Sequence, residues 1–269
     1  MRIAVRHRTV YQYDHPIRFA AQYLRLTPRN NPSQRTLRWT VGGQGRFTTW
    51  TDGFGNQCHT VVSTNTSDEV VLEASGVVET EDVNGVLPDD GLIPVKVFLR
   101  PTPLTMPDPA IREFVAPFAE KARTNVLDTG HELSYALRDK VQYVEGTTGV
   151  HSTAAEVLES GTGVCQDMAH LFIACARELQ IPARYVSGYI CTGTSDRSST
   201  VASHAWAAIW ADGLGWVSFD LANGKCGTEQ HIGLSVGLDY ADTAPVRGIR
   251  HGGEGERMDV QVLVQEAQQ

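Results

Sequence analysis

The chain is poor in paired thiols. Five cysteines, at positions 58, 165, 175, 191 and 226, are spread over 269 residues, an odd number without a CxxC pair. That pattern argues against a disulfide scaffold and against a structural zinc site, whose ligands come in close pairs. Neither an HExxH segment nor an EF-hand loop is present, so no metal and no cofactor is expected. No apolar run reaches the roughly 18 to 20 residues of a membrane-spanning helix. The amino terminus, MRIAVRHRTVYQYDHPIRF, lacks the charged start, apolar stretch and small-residue cleavage site of a secretory signal, which makes a cytoplasmic location the expectation. Long charge blocks are missing too. With 23 basic and 31 acidic residues the net charge is -8, which disfavours nucleic acid and anionic membranes as partners.

What is present divides into two unlike halves. Up to about residue 100, alternating segments such as IAVRHRTVYQY, LRWTV, CHTVVST and EVVLEASGVVET are separated by turn chemistry in PRNNPSQ, VGGQG and TDGFGN. These predict a β-sandwich over residues 1–104. Four prolines in FLRPTPLTMPDPAIREF mark the boundary, with Asp108 and Pro109 as N-cap and first helical residue. Residues 105–269 then read as α+β: helices over AIREFVAPFAEKAR, GHELSYALRDKVQYV and TAAEVLES, a further helix after residue 164, and strands in ARYVSGYICTG, SHAWAAIWA, GWVSFDLA and MDVQVLVQ. The loop TGTSDRSSTVA is a candidate for controlling specificity.

The segment GTGVCQDMAHLFIACAREL carries the first chemical signal. On a helix, Cys165, Met168, Ala169, Phe172, Cys175, Ala176 and Leu179 share one face, and Cys165 falls in the first turn. There, unpaired backbone N–H groups and the helix dipole favour negative charge, which suits a nucleophilic sulfur. An apolar-face thiol is by itself ordinary core material, and Cys175, mid-helix, has nothing to set it apart. His170 is rotated by about 140° from Cys165 and is expected at the surface or edge.

A second signal lies in SHAWAAIWADGLGWVSFD, which reads as a hairpin. His204, Trp206, Ala208 and Trp210 share a face of one arm, and Trp216, Ser218 and Asp220 share a face of the other. A turn centred on Asp212 sets His204 opposite Asp220; a turn centred on Gly213 sets Trp206 there. In both registers the histidine and the carboxylate are within reach on one face.

These stretches, GTGVCQDMAHLFIACARELQIPARYVSGY, SHAWAAIW and GWVSFD, resemble the characteristic blocks of the bacterial transglutaminase-like superfamily, in the papain-like class of thiol enzymes. HRTVYQYDHPIRFAAQYLRLTPR and DGFGN resemble the N-terminal domain often attached to that core, and DYADTAPVRG resembles a downstream block. The resemblance implies a papain-like core of helices packed on an antiparallel sheet, with Cys165 as nucleophile, His204 as base and Asp220 as the group that orients it. It also implies acyl transfer through a thioester, from a peptide or protein carboxamide substrate. Water as acceptor makes a cysteine peptidase or amidase, the preferred reading; an amine makes a transglutaminase; a non-catalytic binding module of the same fold is a third possibility. After the aspartate the family continues with proline, threonine and asparagine, where this chain has Leu221, Ala222, Asn223 and Gly224.

Overall fold

The computed structural model describes residues 1–64, 66–89, 93–192 and 203–267. Most of the loop TGTSDRSSTVA therefore lies outside the described residues. The fold class is α+β, with a strand-rich first part and helices on an antiparallel sheet in the second.

Strand β1 (Arg2–Leu24) organises the first part. Its alternation buries Ile3, Val5, His7 and Thr9, and the register breaks between Gln12 and Ile17, where Asp14, His15 and Pro16 are exposed. Strands β2 (Gln34–Gly43), β3 (Arg46–Thr51), β4 (Gln57–Ser63) and β5 (Ser67–Thr80) complete the order β2-β5-β1-β4-β3. A two-residue strand β6 (Val86–Leu87) leaves this sheet to pair with the second one.

Asp108 caps helix α1 (Pro109–Val115) as its sequence predicts, its carboxylate accepting the Ile111 N–H at 2.8 Å. Pro117 interrupts the following α2 (Ala119–Thr124) with a 3-10 turn, and α3 runs over Val126–Lys140. Strand β7 (Gln142–Tyr143), helix α4 (Ala154–Ser160) and strand β8 (Thr162–Gly163) lead into α5 (Cys165–Glu178). Strands β9 (Ala183–Ile190), β10 (Ser203–Ala211), β11 (Gly215–Phe219) and β12 (His231–Gly237) form a sheet in the order β12-β9-β10-β11-β6. Ala205, Ala207, Ile209 and Phe219 face α5, while Val186, Trp206, Ala208 and Trp216 build a separate cluster on the opposite face.

After the short helix α6 (Tyr240–Thr243) come β13 (Val246–Gly252) and β14 (Arg257–Glu266). A linear division at residue 104 assigns both to the second half, yet each pairs with β1: β14 along Ile3–Gln12 and β13 along Ile17–Leu24. Alternation in MDVQVLVQ announces a strand but carries no information about its partner.

The first part also seals the free edge of the second sheet. The Gln34 side chain both donates to Gly233 O and accepts from Gly233 N, each at 2.8 Å, and Asn56 does the same with Val236. Two amide side chains thus imitate a neighbouring strand along β12. Asn56 is held in place by the DGFGN turn, where Asp52 accepts the backbone N–H groups of Phe54 and Asn56 at 3.0 Å.

Candidate active site

Cys165 is the first residue of α5 and is partly buried. The turn before it is pinned by Asp167, whose buried carboxylate oxygen accepts the Val164 N–H at 2.8 Å and the Thr148 hydroxyl at 2.6 Å. Gly163 is required there, because a Cβ would fall 2.8 Å from the Asp167 Cβ. The parallel pairing of β7 with β8 brings Tyr143 beside Gly163 at the foot of this turn.

The helix itself is buried on all sides from Asp167 to Arg177, which corrects the expectation for His170. Its ring is fully buried, stacks on Tyr185 at 4.9 Å between centroids and accepts the Tyr240 N–H on Nε2 at 3.1 Å. Burial first of all lowers its ionisation to about 4. DYADTAPVRG thereby gains a physical role: Asp239 caps α6 and the Tyr240 N–H holds His170 of α5, while Leu238 O, just before the segment, accepts Arg177 Nη2 at 2.7 Å.

In the hairpin, Trp210 pairs with Trp216 and Ala208 with Ser218, the register centred on Gly213. Trp206 therefore stands opposite Asp220 and His204 one diagonal step away. His204 Nε2 reaches Asp220 Oδ2 at 2.8 Å, and its ring is near enough to Cys165 for the thiol to act on its ionisation. The histidine is on the sheet face turned away from α5. Its ring comes near Cys165 because both residues sit at the beginnings of their elements.

Asp220 follows β11 in a tight loop closed by its N–H to Lys225 O at 2.8 Å. Asn223 in that loop donates Nδ2 to Asp220 Oδ2 at 2.8 Å and its N–H to Oδ1 at 3.2 Å. Of the three residues that usually follow the aspartate, only the asparagine is kept, and it is the one that touches the carboxylate. A further donor escaped sequence reasoning: His231 Nε2 lies 3.0 Å from Asp220 Oδ2. Its segment, EQHIGL, carries no local signal, because β12 reaches Asp220 only through the order of strands in the sheet.

These contacts set the electrostatics. Burial raises the ionisation of Asp220, but the hydrogen bonds from His204, His231 and Asn223 and the His204 charge outweigh it and hold the carboxylate below its usual range. Burial lowers that of His204, and the bonds and charges of Asp220 and Cys165 reverse the effect, raising it to about 9.

His204, Asp220 and His231 are close enough to be considered as metal ligands. However, His231 Nδ1 accepts the Thr228 N–H at 3.1 Å, so the ring proton is on Nε2 and directed at Asp220. A metal at Nε2 would displace that proton and break the Thr228 bond, so the cluster is complete as a hydrogen-bonded group. A cavity of about 240 Å³ on the sheet face away from α5 has Trp206, Ser218 and His231 in its wall, and neither Cys165 nor His204.

The sequence profile of the transglutaminase-like superfamily matches residues 112–221, and that of the bacterial transglutaminase-like N-terminal region matches residues 3–79. Protein ML0607 of Mycobacterium leprae is 32% identical, with 98% of each chain covered. The chain belongs to the transglutaminase-like superfamily. Rv2569c of Mycobacterium tuberculosis is likewise 32% identical, over 98% of this chain and 92% of its own. A crystal structure from Cytophaga hutchinsonii, provisionally described as a cysteine protease, superposes with a TM-score of 0.72 at 19% identity and covers 98% of this chain and 91% of that one. At that identity the likeness establishes the shared fold.

Proposed function

We propose that this chain is a thiol-dependent acyl-transfer enzyme that hydrolyses peptide or carboxamide bonds through Cys165, His204 and Asp220. The observation that carries the reading is the buried His204–Asp220 pair, 2.8 Å apart, with Cys165 at the head of α5 near enough to raise the His204 ionisation.

Cys165 Sγ attacks the carbonyl carbon while its proton passes to His204. Asp220 occupies Nε2, so the proton is taken on Nδ1, the other ring nitrogen. An ionisation raised to about 9 lets His204 hold that proton near neutrality until the C–N bond breaks, when it is given to the leaving amine. The acyl group remains on sulfur as a thioester. Water, deprotonated by His204, then attacks the thioester, releasing the acid and restoring the thiol. The N–H of Cys165, in the first turn of α5 and without a partner one turn back, serves as a donor to the oxyanion.

Labelling with iodoacetamide near neutral pH tests the thiol. Stoichiometric modification of Cys165, lost in His204→Ala, supports the enzyme; labelling of Cys165 as sluggish as that of buried Cys175, whose thiol burial pushes up, defeats it in favour of a binding module. Incubation with a glutamine-containing peptide library, with and without a labelled primary amine, separates the acceptors. Hydrolysis products support water, and dominant amine incorporation overturns this choice.

A further inference from the structure

Asp220 is contacted by more groups than the proposed reaction uses. Its Oδ2 accepts from His204 at 2.8 Å, from His231 at 3.0 Å and from Asn223 at 2.8 Å, whereas Oδ1 accepts the Asn223 N–H at 3.2 Å. Asn223 is only three residues away, in the loop after β11, and its Nδ2 also lies 3.4 Å from His204 Nε2. His231 comes from a different strand, is buried, and is fixed from behind by the backbone of Thr228.

That backbone contact determines what His231 can do. A main-chain N–H can only donate, so Nδ1 must accept it and the single proton of the neutral ring is on Nε2. The proton points at the oxygen that also receives His204. Trp206 lies edge-on to the His231 ring at 5.2 Å between centroids and near the His204 ring at 5.9 Å, walling the pair from one side. A carboxylate bound by one partner can swing about its Cα–Cβ bond; one bound from several directions cannot. The same donation disperses the negative charge of Oδ2, so that Asp220 orients His204 without competing for its proton.

We infer that His231 is a positioning residue of the reaction centre: with its tautomer set by the Thr228 N–H, it donates to Asp220 Oδ2 and so fixes the carboxylate that aligns His204 with Cys165. The inference rests on the reading of Cys165 as the nucleophile and adds a fourth side chain to it. Partners one hydrogen bond removed from a reacting group commonly change rates by about 10- to 100-fold.

The test compares wild type, His231→Leu and His231→Gln in the full chain, with iodoacetamide as probe and the rate of Cys165 alkylation followed against pH. Leucine removes the donor and glutamine offers an N–H near the Nε2 position. The expected result is about tenfold slower alkylation in the leucine variant, with the alkaline limb of its profile displaced upward because the Asp220 charge is concentrated on His204, and recovery of both rate and limb in the glutamine variant. A leucine variant with wild-type rate and limb overturns the inference, as do two variants that lose activity equally while folded. Should the leucine variant fail to fold, ¹⁵N-¹H correlation spectra of the wild-type histidines decide: the Nε2–H tautomer at His231 supports the inference and the Nδ1–H tautomer overturns it. If wild-type Cys165 alkylates no faster than an ordinary thiol, it is the proposed activity that fails, and the His231 tautomer still reads out the local geometry.

Discussion

The indole of Trp206 lies against Gly188 so closely that a Cβ on the glycine would be 2.7 Å from ring atom Cη2 and 2.1 Å from Ile232 O. The missing side chain lets the indole cross β9 from His204 to His231. Gly188→Ala has a backbone oxygen to displace as well as a ring, so a loss of about 1–3 kcal/mol is expected in denaturant unfolding. Slower alkylation of Cys165 should accompany it.

Replacing Asp220 by Asn keeps the shape and removes the charge. Catalysis of any cleaved substrate should fall by about 10³- to 10⁴-fold, the scale seen when the orienting carboxylate of a catalytic triad is lost. The alkaline limb of Cys165 alkylation should move down from near 9 toward the ordinary histidine value. Alkylation rates across pH 5 to about 10 give the limb directly.

Because the folded-state ionisation of His204 is raised from 6.5 to about 9, its contribution to stability is complete below 6.5 and is lost as pH rises through about 9. Urea midpoints for wild type are expected to fall between pH 7 and 9.5 more steeply than those of His204→Gln. Parallel slopes for the two proteins would count against the raised value.

The two bonds of Asn56 to Val236 are matched in direction, one donated and one accepted. Asn56→Asp keeps the acceptor and loses the donor, leaving Val236 O facing a carboxylate. We expect Asn56→Asp and Asn56→Ala each to lose about 2–4 kcal/mol, aspartate the more at neutral pH, measured by chemical denaturation.

Local patterns were legible in the sequence and long-range partners were not. Strand alternation placed His204 and Asp220 on one face whichever way the hairpin turned, and the turn at Gly213 then selected the diagonal pairing. Helix periodicity placed Cys165 in a first turn. The same periodicity gives the angle between Cys165 and His170 but not what covers each side, and Tyr185 and Tyr240 enclose the histidine that looked peripheral. His231 was invisible because its contact with Asp220 depends on the β12-β9-β10-β11 order. The strand in MDVQVLVQ was recognisable, whereas its place beside β1 depends on long-range pairing with residues 3–12.

That last pairing has a consequence for biosynthesis. Ile3 pairs with Glu266, so at about 5–20 residues per second a ribosome makes the first strand roughly 15–50 s before its outer neighbour exists. Within that interval the helix bearing Cys165 and the hairpin bearing His204 are made as well, while the hydrogen-bonding edge of β1 that β14 will cover waits unpaired. β1 is therefore open to mispairing until residues 257–266 have been made, and their pairing ends the exposure.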